Sequence, residues 1–182
     1  MLFEHLILPV DFRARFEIAN QIKDKTLDIC ITEAEQVHVK DRIGNALYLD
    51  LIEYLQGTTD GKPKEYCALL NGGTYEVENC RNAEKRVFLG LITAVSYYAY
   101  ARLIKTIDIS VTRFGFTQKT DEYSSRPALN IKLAAEGDAL AMADKYMNDC
   151  ILFLSANREQ IPLFNRAGAA KNRLSISVLK TF

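Results

Sequence analysis

Histidine is scarce in this sequence. His5 and His38 are its only two, too few and too isolated for a histidine-rich metal site. Four cysteines, Cys30, Cys67, Cys80 and Cys150, stand far apart with no CxxC pair. They read as reduced thiols of a protein made in the cytosol, packed as small buried hydrophobes. Net charge is also lacking: 23 Lys+Arg balance 23 Asp+Glu, where a general nucleic-acid binder is expected to be basic. No basic start leads into a long apolar run, so secretion is not expected. The longest conspicuously apolar stretch runs from Arg86 to Arg102 with fifteen uncharged residues between them. A membrane span needs roughly 20, so a buried helix is the expectation and no membrane partner is expected.

Catalytic motifs are absent as well. The segment Gly57-Thr58-Thr59-Asp60-Gly61-Lys62-Pro63 has three residues between its glycines and a proline after the lysine. A phosphate-binding loop requires four, then Ser or Thr, so this segment reads as a turn between helices. There is no GxSxG, HExxH or GxGxxG. His38, beside Val39 and Lys40, reads as an exposed or half-buried helix residue. The pairs Glu33/Glu35 and Glu76/Glu78 lack any neighbouring residue that would make them catalytic, and Glu35 is better explained as a helix cap. Tyr97, Tyr98 and Tyr100 suit a core or an interface, since tyrosine joins a large apolar body to a polar tip. The expectation is a protein that is not an enzyme, with no catalytic residue, no cofactor and no metal ligand.

What is present is an ordinary globular composition, 48% apolar and 25% charged over 182 residues, which excludes wholesale disorder. At roughly 150 residues per domain the chain reads as one domain with appendages. The expected division is a helical domain over 1–164, with an arm at 105–126, and a basic extended tail over 165–182. Charge is unevenly placed: residues 1–60 hold 11 acids and 6 bases, while residues 160–182 hold Arg166, Lys171, Arg173 and Lys180 without an acid. Such opposite ends can guide register in an assembly, or the tail can simply be a solvated basic segment.

Periodicity predicts a mainly α fold: a small helical bundle with a β-like arm or hairpin between its two longest helices and an extended C-terminal tail. Segment 12–31 is ambiguous, with Phe12, Phe16 and Ala19 at helical spacing and Leu27, Ile29 and Ile31 alternating as in a strand, and residues 11–24 read as a helix or irregular arm. Thr32-Glu33-Ala34-Glu35 has the form of a capping box, and Val39, Ile43, Leu47, Leu51 and Leu55 recur every four residues, predicting one helix over about 32–56. A close backbone approach is expected at Gly44. A short helix over 64–71 and a short strand over 74–78 follow, and Asn82 offers an N-cap to the helix of Val87–Ile104. Ile107, Ile109 and Val111 alternate as in a strand, and the apolar parity changes after Arg113, which suggests a bulge or a change of face. From Pro127 a helix could run to about Gln160, with Ile131, Ala135, Ala139, Met142, Tyr146, Cys150 and Phe153 on its buried stripe and Gly137 a candidate kink.

The order of these segments resembles a known family. Ile31-Thr32-Glu33-Ala34-Glu35 leads to Ile43-Gly44-Asn45-Ala46-Leu47-Tyr48, then Leu69-Leu70-Asn71-Gly72-Gly73-Thr74-Tyr75. Gly90-Leu91, Tyr97-Tyr98-Ala99-Tyr100-Ala101-Arg102 and Val111-Thr112-Arg113-Phe114-Gly115 follow, before Leu152-Phe153-Leu154-Ser155-Ala156-Asn157 and Ile161-Pro162-Leu163-Phe164. Over residues 27–165 this is similar to the head–tail connector proteins, or neck adaptors, of tailed phages, in particular those of crAss-like phages and related prophages. The resemblance implies a structural virion protein in a dodecameric homo-oligomeric ring. Such a ring binds the portal protein on one side and the next neck or tail ring on the other, while genomic DNA passes through the lumen without sequence-specific binding. It also implies assembly in the bacterial host cytoplasm and residence at the virion neck. The residues expected at subunit or partner interfaces are Ile109, Val111, Arg113, Phe114 and Phe116 of the arm, with Arg166, Lys171, Arg173, Ile176, Val178 and Lys180 of the tail. Competing readings are another phage tail-completion or assembly protein and a small helical regulatory DNA-binding protein. For the latter no recognition helix with clustered Arg, Lys, Asn or Gln is visible.

Overall fold

The computed structural model describes residues 5–58, 60–78, 83–107, 109–112, 115–118 and 129–164. Among them the architecture is mainly α, with two antiparallel hairpins inserted between helices. The chain opens with α1 (Pro9–Arg15), shorter than the expected 11–24 and begun by a proline in its first turn. Arg13 closes the following turn, donating to the carbonyls of Ala19 and Ile22 at 2.6 Å and to Asp24 at 2.7 Å.

The capping-box expectation is overturned. Helix α2 (Asp24–Ala34) starts well upstream, so Thr32 lies inside it and donates its hydroxyl to the Asp28 carbonyl at 2.8 Å. Leu27, Cys30, Ile31 and Ala34, at i, i+3, i+4 and i+7, form its buried face. The helix then widens into a π turn, Glu35–Val39, with the Lys40 amide bonded to the Glu35 carbonyl. Helix α3 (Lys40–Ile43) ends at Gly44, whose φ of 88° breaks the path before α4 (Asn45–Leu55). The expected single helix is therefore a series of pieces. Its stripe is nevertheless real: Val39, Ile43, Leu47 and Leu51 are fully buried, and only Leu55 emerges.

Helix α5 (Glu65–Asn71) leads into β1 (Gly73–Glu78), which pairs antiparallel with β2 (Ala83–Phe88), Gly73 opposite Phe88. The helix expected from Asn82 is thus a strand at its start, and α6 (Leu91–Thr106) begins only after Gly90. A contact between two glycines explains the break. A Cβ on Gly90 would lie 2.3 Å from the Gly72 nitrogen, and one on Gly72 would lie 2.5 Å from the Phe88 carbonyl oxygen. Both have positive φ, so the entry and exit of this hairpin are held by backbone touching backbone.

Helix α6 is the centre of the bundle, packed on α2 and most extensively on α7 (Leu129–Ala156). Between them β3 (Ile109–Thr112) pairs antiparallel with β4 (Gly115–Gln118), Thr112 opposite Gly115. The parity change read from the sequence thus falls where one strand gives way to its partner. Helix α7 ends at Ala156, short of Gln160, and its buried stripe differs from expectation. Ala139, Ala143, Met147, Cys150, Phe153 and Leu154 are buried, whereas Ile131 is 58% exposed and Met142 37%. No described helix is long and apolar enough to cross a membrane.

Candidate functional site

The antiparallel pairing of α6 with α7 is fixed by specific contacts along its length. The rings of Tyr97 and Tyr146 meet at 5.3 Å, the Tyr98 hydroxyl donates to Asp144 at 2.5 Å, and Lys105 pairs with Glu136 at 3.3 Å. In this register residues 129–135 of α7 run past the last turn of α6. The two ends of the pair then differ. Towards Leu91, Tyr75 and Phe88 of the first hairpin close on Phe153, at 5.3 and 4.6 Å between rings. Burial there pushes the Cys150 thiol up to about 12. Towards Ile107 the described residues form no such cover. A groove of about 250 Å³ lies between Tyr100, Leu103, Ile104 and Ile107 on one side and Ile131 and Ala135 on the other. Of its lining, Ile107 is 39% exposed and Ile131 58%, so the groove presents apolar side chains at the surface.

The β3–β4 hairpin is inserted in the chain between these two walls. Of the arm residues expected at an interface, Ile109 and Val111 lie on β3 and Phe116 on β4, with Val111 opposite Phe116 and Ile109 opposite Gln118. Arg113 and Phe114, and the tail residues Arg166, Lys171, Arg173, Ile176, Val178 and Lys180, lie outside the described residues. The structure therefore joins one part of the expected interface to an apolar groove at its root. The groove residues Ile104 and Ile131 read from the sequence as buried helix positions, and Ile107 as the start of a strand, whereas Ile107 is the helical C-cap of α6.

Polar residues of the body are committed to one another. Asp144 receives Tyr98 and the Arg42 guanidinium, both at 2.5 Å. The Tyr98 hydrogen bond, aided by Arg42, holds the Asp144 carboxyl below its ordinary value against the opposing effect of burial. His38 stacks on Tyr98 at 4.4 Å and is half-buried, as expected. Burial and then the Arg102 charge lower its pKa. The Gly57–Pro63 segment joins α4 to α5 as a turn, and Lys62 bonds Asp50 and, at 2.8 Å, Glu53. Its ammonium is engaged by carboxylates rather than presented to a phosphate. Cys30 and Cys150 are buried as expected, Cys67 is exposed, and Cys80 lies outside the described residues.

One cluster escaped sequence reasoning. Glu35, read as a cap, is a fully buried carboxylate. It accepts the Leu6 amide at 2.7 Å, the Tyr48 hydroxyl at 2.9 Å and His5 Nδ1 at 3.0 Å, while His5 Nε2 faces Asp28 at 3.1 Å. The signal was present: Leu27, Ile31, Glu35, Val39 and Ile43 recur every four residues, so Glu35 interrupts an apolar stripe with a charge. A buried charge requires partners. Among the described residues no group of three or more His, Cys, Asp or Glu is placed to hold a metal ion.

A family model described as "Family of unknown function (DUF6712)" matches residues 39–173. Neither the comparison with curated proteins nor that with solved structures finds a match.

Proposed function

The chain belongs to this family of unknown function, and from its own surfaces we propose that it is a structural subunit of a head–tail connector ring. In this reading it joins a phage portal to the next neck or tail component around the DNA channel. The observation that carries the reading is the apolar groove of α6 and α7 at the root of the β3–β4 hairpin, open among the described residues. A two-stranded hairpin is marginal alone in water, and a contiguous exposed apolar surface marks a place where another surface docks. A closed ring needs two different surfaces on one subunit, and the groove and the arm supply such a pair. The segment order of residues 27–165, with its resemblance to neck adaptors, supplies the context. The basic tail, with Leu174, Ile176 and Val178 alternating, suits strand addition to a partner's sheet edge.

The test is the mass in solution of the protein, alone and mixed with a tailed-phage portal protein. A ring, or a defined complex formed with the portal, is the expected result. A monomer in both samples, with no portal complex, overturns the reading.

A further inference from the structure

We propose that the segment leading into α1, residues 5–8, is a strap that a charged His5 fastens to the body and that opens when His5 loses its proton. The geometry around the imidazole carries this. Its Nδ1 lies 3.0 Å from the buried Glu35 carboxylate and its Nε2 lies 3.1 Å from Asp28. A carboxylate only accepts hydrogen bonds, so both ring nitrogens must donate, and only the charged imidazolium has two N–H groups. A neutral ring would turn a lone pair on one of the two carboxylates and leave Glu35 buried without a counter-charge.

The groups facing His5 come from three elements. Asp28 of α2 and Glu35 of the π turn are both acidic, and Tyr48 of α4 shares Glu35 with the ring. Its burial and the neighbouring Glu35 charge raise the Tyr48 hydroxyl, so it stays neutral and donates. The Glu35 hydrogen bond is the largest influence raising the His5 pKa, Asp28 adds to it, and burial opposes both. The sign follows: a raised value in the folded state means that fastening is complete below the ordinary 6.5 and is lost as pH rises through the folded value.

The next residue makes the strap readable. The Leu6 amide donates to the same Glu35 carboxylate, and the buried Leu6 and Ile7 side chains line an open pocket of about 580 Å³ with Arg15, Asn71 and Ile92. Release at His5 therefore frees the Leu6 amide and uncovers this face. The second fastening, Arg13 on Ala19, Ile22 and Asp24, does not involve His5 or Glu35 and keeps α1 in place.

The experiment follows two signals in the full-length protein by NMR as pH is raised from below the ordinary histidine value. These are the titration of the His5 ring and the exchange protection of the Leu6 amide, corrected for its intrinsic pH dependence. Protection should fall in step with His5 deprotonation, while the Met147 amide of the core stays protected. Asp28→Asn, at a half-exposed position, should move both midpoints to lower pH, because one of the charges raising His5 is gone. His5→Gln should leave Leu6 weakly protected at every pH. Protection that ignores the His5 titration, or midpoints that Asp28→Asn leaves in place, would overturn the proposal.

Discussion

At one end of the α6–α7 pair Met147, Cys150 and Leu154 are fully buried, while at the other Ile131 and Leu133 of the same helix stand more than half exposed. Composition does not separate these ends, since both carry apolar residues of α7. What separates them is the neighbour. The first hairpin and its Gly72–Gly90 contact bring Tyr75 and Phe88 over Phe153, whereas at the second hairpin's root the described residues leave the groove open. One end is the folding core, and the other is surface that is apolar in the isolated chain.

The comparison breaks most sharply at its hinge. Gly90→Ala should destabilise the fold by about 3 kcal/mol or more, because a Cβ there meets backbone and the φ of 80° disfavours an L side chain. Urea denaturation measures this, and an unchanged midpoint would mean that the glycine contact does not hold the packed end together. Met147→Ala at the same end should cost about 2–5 kcal/mol, the usual range for a cavity left in a core. Asp144→Asn sits between the ends and should cost about 1 kcal/mol or less, since its side chain is 48% exposed. Its pH signature is more informative than its size. The Asp144 pKa is lowered, so its contribution is present above the ordinary 3.8 and lost as pH falls through the folded value. The acid limb of the stability curve should therefore flatten in Asp144→Asn.

The smallest effect on stability belongs to the bare end. Ile107→Ser with Ile131→Ser should change the unfolding midpoint of the monomer by no more than about 0.5 kcal/mol per site. The same pair should prevent ring or portal-complex formation, read as mass in solution. Replacing Phe114 and Phe116 with Ser in the arm should likewise block assembly and leave helical circular dichroism intact. If either pair unfolds the chain, its residues belong to the intramolecular core and the two ends are not distinct in kind.

Periodicity alone determined the mainly α class, the buried stripe of Val39, Ile43, Leu47 and Leu51, most of the helical span of α6 and the position of the extended excursion before α7. These are local properties, because side-chain spacing along a few turns is set by the backbone geometry of the element itself. Local spacing misled where two patterns coincided. Leu27, Ile29 and Ile31 alternate as in a strand, yet the chain is helical there and leaves Ile29 49% exposed. Thr32 and Glu35 have capping-box spacing, yet an earlier helix start carries both inside. Only the tertiary structure decided what covers each apolar face, which glycines touch, and that Glu35 has His5, Leu6 and Tyr48 as partners. Burial and the partnering of a charge depend on residues distant in sequence, and neither spacing nor propensity within one segment contains them.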